Sequence, residues 1–331
     1  MKALVVSRLS DDLSGVGLAD VPDAVAGPGQ MLVRVAAAAL NYPDLLMTRG
    51  AYQLKPPLPF VPGMEMAGEV VTAPDGSGFA AGDRVVCGTR IGSFAEIVAC
   101  DVAAARLIPP GLDYRTAAAT GAAYATAYVA LVRLARLRAG EWVLIHGATG
   151  GVGLAAVDLA KALGARVIAT SRSPEKLRLV AQEYVPDATL PATGFREAVK
   201  ELTGGGADMV FDPVGGDTFD ESTRAIAFGG RLLVVGFTSG RIASVASNIP
   251  LIKGFSVIGV RAGEYGRRFP TRGRENLDAI WSMVADGRLN PRVDRAYPLA
   301  RWREAFDAMA RSDFVGKLVI EPKDDRHGQG I

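Results

Sequence analysis

Histidine and cysteine are nearly missing from this chain, which has two of each in 331 residues. The histidines are His146 and His327, and the cysteines are Cys87 and Cys100. No C-x-x-C or H-E-x-x-H spacing occurs. A zinc centre would have to gather almost every such residue from distant places, so no metal site is expected. A Ser-His-Asp triad would need His146 or His327, and His327 falls in the polar stretch Lys323 to Ile331, where a chain end frays. His-based acyl transfer is therefore a poor fit. Two cysteines do not build a disulfide framework in a chain of this size, and both lie in apolar stretches as inert core thiols. An excess of one charge sign is missing as well. The 37 Lys and Arg stand against 35 Asp and Glu, for a net charge of +2, which leaves no electrostatic footprint for nucleic acid or an anionic membrane. The longest uncharged run, Thr116 to Val132, spans 17 residues and includes Thr120, Gly121 and Tyr124. It is short of the ~20 apolar residues of a membrane span and reads as a buried helix. The opening segment MKALVVSRLSDD lacks the apolar core of a signal peptide, and a reducing cytoplasm is the expected compartment.

Glycine, by contrast, is plentiful at 39 residues with no collagen-like period, which implies many tight turns and close backbone approaches. Hydrophobic residues make up 49% and charged residues 22%, so there is ample apolar surface to offset chain entropy and disorder is excluded. At ~150 residues per domain the length suggests two domains. Residues 1–118 read as short strands and turns, with strands at Met31 to Ala36, Met66 to Thr72, Asp83 to Cys87 and Ser93 to Cys100. Pro56 to Gly63 holds four prolines and is expected to be a stiff extended loop. Residues 119–260 alternate strand and helix. Strands are expected at Trp142 to His146, Arg166 to Thr170, Met209 to Val214, Leu232 to Phe237 and Phe255 to Val260. Helices are expected at Val152 to Leu163 and Asp217 to Ile226, and Ser173 and Pro174 open another as N-cap and first helical residue. That alternation implies a parallel sheet covered by helices on both faces. Residues 261–331 carry two helical segments, Glu275 to Asp286 and Leu299 to Ala310, and a closing strand, Lys317 to Glu321. This zone is short for a domain and is expected to pack back on the first.

The stretch that carries chemistry is His146 to Gly153, which holds Gly147, Gly150, Gly151 and Gly153 between an expected strand and an expected helix. Glycines let the chain turn tightly and let a pyrophosphate approach the backbone, and the helix N-terminus supplies amide donors and partial positive charge. A tight strand-to-helix turn is the plainer reading of a glycine cluster alone, but inside a full βαβ unit the cluster points to a dinucleotide. An NAD site usually carries Asp or Glu at the end of the second strand, about 20 residues on. Here that position reads Thr170, Ser171 and Arg172, with Lys176 close behind. Cations and hydroxyls suit a 2′-phosphate, so NADPH is the expected cofactor; two solvated surface cations are the bland alternative. No Tyr is followed four residues later by Lys, which removes the short-chain dehydrogenase pattern.

Several further motifs stand in order along the chain: Asn41 to Asp44, Arg49 to Tyr52, Pro59 to Glu65, Gly82 to Val85, Asp212 to Gly216, Val235 to Phe237, and Gly316 with Lys317. Together with the glycine turn they resemble the zinc-independent quinone oxidoreductase group of the medium-chain dehydrogenases/reductases, over almost the whole chain. The resemblance implies a two-domain α/β fold. A discontinuous GroES-like β-barrel catalytic domain would comprise 1–118 and 261–331, and a Rossmann doubly wound parallel-sheet domain would comprise 119–260. It implies cofactor contacts from Thr126, Gly150, Gly151, Val152, Ser171, Arg172, Lys176, Val214, Gly236, Phe237 and Lys317. It places Asn41, Tyr42 and Tyr52 at the catalytic site, each with a structural alternative as a turn-former or a core tyrosine. Zinc-dependent relatives carry a ligand Cys and a His-Glu pair where this chain has Asn41 and Met64-Glu65, so the resemblance agrees that no metal is used. Where relatives hold a Tyr beside the 2′-phosphate, this chain has Leu190.

The activity implied is NADPH-dependent hydride transfer to quinones or related conjugated carbonyls. Two alternatives stay open. One is an enone or enoyl-thioester reductase, for which Arg261, Arg267, Arg268, Arg272 and Arg274 would meet the phosphates of a CoA substrate. The other is an NADPH-binding protein with negligible turnover. The expected partners are a small-molecule substrate and a second copy of the chain, joined through the apolar strand Phe255 to Val260.

Overall fold

The computed structural model describes residues 1–322; His327 lies outside the described residues. The chain divides into two compact units, Met1–Ala122 together with the stretch from Pro291 onward, and Ala123–Asn290. The discontinuity is as expected, but the boundaries 118/119 and 260/261 shift. Residues 119–122 stay with the first unit, and 261–290 lie in the second.

The first unit begins with an antiparallel pair, β1 (Lys2–Val6) and β2 (Val16–Asp20). It continues through β3 (Gln30–Leu40), α1 (Tyr42–Thr48), β4 (Glu65–Thr72), β5 (Arg84–Gly88), β6 (Ile97–Asp101), β7 (Ala105–Leu107) and the first part of α2 (Tyr114–Tyr128), whose residues from Ala123 on belong to the second unit. The second unit holds β8 (Trp142–Ile145), α3 (Gly151–Ala162), β9 (Arg166–Ser171), α4 (Pro174–Tyr184), β10 (Ala188–Pro191), α5 (Arg196–Thr203) and β11 (Ala207–Asp212). It goes on with α6 (Gly216–Ser222), β12 (Ile226–Val234), α7 (Asn248–Lys253), β13 (Ser256–Gly259), α8 (Ala262–Arg268) and α9 (Pro270–Ala285). The chain then returns to the first unit as β14 (Val293–Pro298), α10 (Trp302–Arg311) and β15 (Lys317–Glu321).

In the first unit the long strand β3 is the hub. It pairs antiparallel with β4, β6 and β15 at successive points along its length. From Ala37 to Leu40 it is buried at every residue, which small alanines allow. Parallel strands β14 and β15 are joined through α10, whose apolar face presents Trp302, Ala305, Phe306 and Met309. Phe306 meets Phe94 edge to face at 6.1 Å between ring centroids, an arrangement that suits the two ring quadrupoles.

The second unit is an open sheet in the order β10-β9-β8-β11-β12-β13, parallel at every pairing. The order reverses at β8, so the crevice between the carboxyl ends of β8 and β11 is a topological switch point. Helix α9 belongs here because its apolar face buries Ile280, Trp281, Met283 and Val284. In addition, Arg133 Nε donates to Asn276 Oδ1 at 2.6 Å. The expected helix at 217–226 ends at Ser222, and β12 starts at Ile226 and stops at Val234. Gly229 and Gly230 sit inside the strand, with Gly229 at φ +79; the pairing with β11 shifts register ahead of Met209, as at a bulge. The uncharged run 116–132 is helical, through α2 and a π-helical turn at Val129–Leu134. Among the described residues no helix is long and apolar enough to cross a membrane.

One glycine sets how α3 meets β8. A Cβ on Gly153 would lie 2.1 Å from the carbonyl oxygen of Gly147, whereas one on Gly150 would find its nearest neighbour at 3.5 Å. Gly153→Ala is therefore expected to destabilise the chain by at least ~1–3 kcal/mol, the usual range for overpacking. Gly150→Ala, at φ −85, should leave stability unchanged. Urea unfolding midpoints of the two variants check this, and equal midpoints would refute the close-approach argument.

Candidate functional site

Four loops leave the carboxyl ends of β8, β9, β11 and β12. After β8 comes Gly147, at φ +58, then α3 with Gly150 as its N-cap and no capping side chain. The amides at the start of α3 thus point to an anion site with no competing side-chain acceptor. After β9 come Ser171 and Arg172. The hydroxyls of Thr149 and Ser171 lie 3.2 Å apart, joining the first two loops. Ser173 caps α4 by accepting from the Lys176 amide at 3.3 Å, as its spacing from Pro174 predicts. Arg172 is exposed, with no side-chain hydrogen bond or ion pair among the described residues. No carboxylate stands at the end of β9; the first acid, Glu175, lies in the first turn of α4.

After β11, Asp212 Oδ1 accepts from the amides of Val214 at 2.8 Å and Gly215 at 2.9 Å. Burial pushes the Asp212 carboxyl up from its usual range, against those two donors. The loop after β12 returns to this one, since Thr238 N donates to Pro213 O and Ser239 N to Val214 O. Gly215, at φ +70, lies against the ring of Phe237, and a Cβ on Gly236 would meet Pro213 O at 3.1 Å. Gly150, Gly151, Val152, Ser171, Arg172, Val214, Gly236 and Phe237 therefore gather at one edge of one sheet. Thr126 is half-buried on α2 and Lys176 half-buried on α4. His146, at the end of β8, is fully buried between the hydroxyls of Thr170 and Ser222, both at 2.8 Å. Burial holds its imidazole down at about 3, neutral and structural.

Lys317 is elsewhere, in the first unit, where it is the one buried Lys or Arg among the described residues. Its Nζ donates to Asn41 Oδ1 at 2.6 Å and to Glu65 Oε1 at 3.0 Å. Asn41 Nδ2 donates to the same Glu65 oxygen at 2.9 Å and to Ala39 O at 3.3 Å. Glu65 Oε2 accepts from the Ala122 amide at 2.7 Å. Gly121 leaves room for that carboxylate, because a Cβ there would approach Glu65 Oε2 to 2.9 Å. Asp44, fully buried, accepts from Asn41 N at 2.8 Å and from Gly63 N at 3.1 Å. Burial drives the Asp44 carboxyl up to about 7, although those two amides and the Lys317 charge pull it down. Tyr42 and Tyr52 are half-buried against the first unit's core.

Asn41 therefore has both amide hydrogens committed, and it serves Lys317 as an acceptor. Sequence reasoning singled out Asn41 and Lys317 separately and missed Asp44 and Glu65 as their partners. The signal available was only that all four stand inside the quoted motifs. Among the described residues no three His, Cys, Asp or Glu side chains come together as a metal would require. Zinc, with its preference for sulfur and imidazole, does not fit a pocket filled by an ammonium, an amide and one carboxylate.

A family profile described as the alcohol dehydrogenase GroES-like domain matches residues 27–110, and one described as zinc-binding dehydrogenase matches residues 151–280. A GroES-like barrel joined to a Rossmann domain is the architecture of the medium-chain dehydrogenases/reductases. The chain is 39% identical over 305 residues to a quinone oxidoreductase-like protein 2 homolog of Nematostella vectensis, covering 90% of this chain and 83% of that protein. Among solved structures it is similar to a probable oxidoreductase of Mycobacterium abscessus, with a TM-score of 0.88 and 41% identity over 97% of this chain and 99% of that one. It is also similar to the quinone oxidoreductase of Thermus thermophilus, solved alone and with NADPH, with a TM-score of 0.86 and 33% identity over 97% and 100%. The chain belongs to the medium-chain dehydrogenase/reductase family of oxidoreductases, in its quinone oxidoreductase-like group.

The buried cluster makes a stability prediction. Lys317→Met strands the Glu65 carboxylate without its cation, which is expected to cost ~3–5 kcal/mol. Adding Glu65→Gln should recover most of that loss, because no buried charge is then unpaired. Denaturant titration of both variants decides it, and additive losses would mean that the pair is not coupled.

Proposed function

We propose that the chain is an NADPH-dependent, metal-free reductase of quinones or related conjugated carbonyls. The observation that carries this reading is the gathering of the glycine turn, Ser171, Arg172, Val214, Gly236 and Phe237 at the switch point, with a cation rather than a carboxylate at the end of β9. The residues fit the dinucleotide. Gly150, Gly151 and Val152 offer backbone amides to a pyrophosphate, and Ser171, Arg172 and Lys176 suit a 2′-phosphate. Gly236 and Phe237 border the same edge, and Thr126 is assigned a nicotinamide contact. NADPH supplies, when bound, a hydride equivalent.

The remaining work falls to the chain's own groups. Lys317 is assigned to cofactor placement, and Asn41 acts by holding its ammonium rather than by donating to substrate. Tyr42 and Tyr52 are assigned to the acceptor oxygen as hydrogen-bond donors and, for Tyr52, as proton source. The donor set around Lys317 supports zinc independence. Quinones and conjugated enones are electrophilic without a Lewis acid, so placement suffices. We also assign the homodimer to the free edge of β13. Val257 there, Leu251 and Ile252 just before it and Phe228 on the paired strand β12 leave large apolar side chains exposed, and a strand edge is self-complementary across a two-fold axis.

Steady-state NADPH oxidation with a panel of quinones, enones and enoyl-CoAs tests the activity. Turnover of enoyl-CoA alone would favour the thioester alternative, and no turnover with any acceptor would reduce the chain to a binding protein. Cofactor choice is tested at Arg172. One charged hydrogen bond to a 2′-phosphate is worth ~1.5–3 kcal/mol. Arg172→Ala is therefore expected to weaken NADPH roughly ten- to a hundredfold, in KM rather than kcat, and to leave NADH unaffected. Equal weakening of both cofactors would make Arg172 structural. Finally, activity should survive prolonged chelation, with elemental analysis finding well below one zinc per chain; stoichiometric zinc lost together with activity would overturn the metal-free reading.

A further inference from the structure

Cys87 and Cys100 are the only cysteines in the chain, and both are buried in the core of the first unit. They stand on strands that do not hydrogen-bond to each other. β5 pairs with β4 and β7, while β6 pairs with β3. Their side chains nevertheless meet, with the sulfur atoms 2.8 Å apart. That is closer than the ~3.5–4.0 Å of carbon atoms in van der Waals contact, although sulfur is larger. It leaves a further approach of only about 0.8 Å to a disulfide bond of ~2.05 Å. With two cysteines in the sequence, neither thiol has another thiol of the chain as a partner.

We propose that Cys87 and Cys100 form an oxidisable pair, a modification site that closes to an intramolecular disulfide when a small hydroperoxide reaches it. One thiol attacks the peroxide, taking one oxygen to become a sulfenic acid and releasing water or an alcohol from the broken O–O bond. The second thiol then attacks that sulfur, forms the S–S bond and expels water. The two sulfurs together lose two electrons and two protons, and the peroxide is reduced. The neighbour's proximity favours closure over further oxidation, because the second thiol is already in contact and a second peroxide must enter the same closed core. The hydrogen bond with the Cys100 sulfur, and burial after it, hold the Cys87 thiol above its ordinary range. Thiolate is therefore scarce and the reaction is slow. The bond would brace β5 against β6 beside the buried charge cluster, since Cys87 lies opposite Met66 and Gly88 opposite Glu65.

The experiment treats the whole chain with hydrogen peroxide and then unfolds it in denaturant with a thiol-reactive mass tag. The expected result is loss of both tags together and an intact mass lower by two hydrogens. The chain should stay single on a non-reducing gel, with a half-time independent of protein concentration, and both tags should return after reduction. Gain of oxygen atoms on one cysteine, disulfide-linked pairs of chains, or two thiols still taggable after hours in millimolar peroxide would each overturn the proposal. Cys100→Ser supplies the control. Its remaining thiol should show no loss of two hydrogens, and the same loss in that variant would place the oxidation elsewhere.

Discussion

The first unit is organised around the burial of one ammonium. Moving a lysine charge out of water costs several kcal/mol even after relaxation, and it persists only where paired and hydrogen-bonded. Lys317 meets that condition through Asn41 and Glu65, and Glu65 is completed by the Ala122 amide. These groups come from four places: the β3–α1 junction, β4, β15 and α2. Each is held because the others are. The last strand of the unit is thereby tied to the first hundred residues by charge as well as by the pairing of Leu318 with Leu40. Asp44 adds a second tie, drawing the backbone at Asn41 and at Gly63 onto one carboxyl group. Total burial pushes that carboxyl up to about 7, while the two amides and the Lys317 charge pull it down.

The second unit solves a different problem. A parallel sheet delivers its loops to one end, and those loops must pack without side chains intruding on what binds there. Gly153 lets α3 start against the turn at Gly147. Asp212 gathers two amides of the next loop, and the loop after β12 is held to it by backbone bonds. Polar groups that face inward are satisfied within the protein, His146 by two hydroxyls and Asp212 by two amides. Among the described residues, the N-terminus of α3 has no capping side chain and the guanidinium of Arg172 no hydrogen bond or ion pair.

Much of this was legible in the sequence where the signal is local. Ser173 and Pro174 cap a helix as read, and β15 spans the expected residues, because capping and alternation are properties of a few neighbouring side chains. The switch-point edge was legible because the glycine turn sits between a strong strand and a strong helix. Three kinds of feature were not. Strand β12 starts at Ile226 rather than Leu232 and ends at Val234 rather than Phe237, because pairing with β11 carries it through Gly229 and Gly230. The segment 261–290 was placed with the wrong unit because its apolar residues say that it packs, not on what. The charge cluster and the cysteine pair depend on contacts between residues far apart in sequence. Cys87 and Cys100 look alike as inert core thiols, and only the fold brings their sulfurs together.

The chemistry of the cluster bears on the proposed acceptor. An ammonium whose charge is already balanced by a carboxylate at 3.0 Å is a weak electrophile beside a divalent metal ion. A chain that relied on it to activate an unconjugated alcohol or ketone would lack the several kcal/mol that a Lewis acid contributes. The same pair is well suited to fixing a position, because two hydrogen bonds and burial hold the lysine in place. A site built this way gains rate by placement, and placement suffices where the acceptor carbon is already electron-poor through conjugation. Held by Asn41 and Glu65, the Lys317 ammonium is a fixed and already balanced cation, and a fixed cation orients more than it activates.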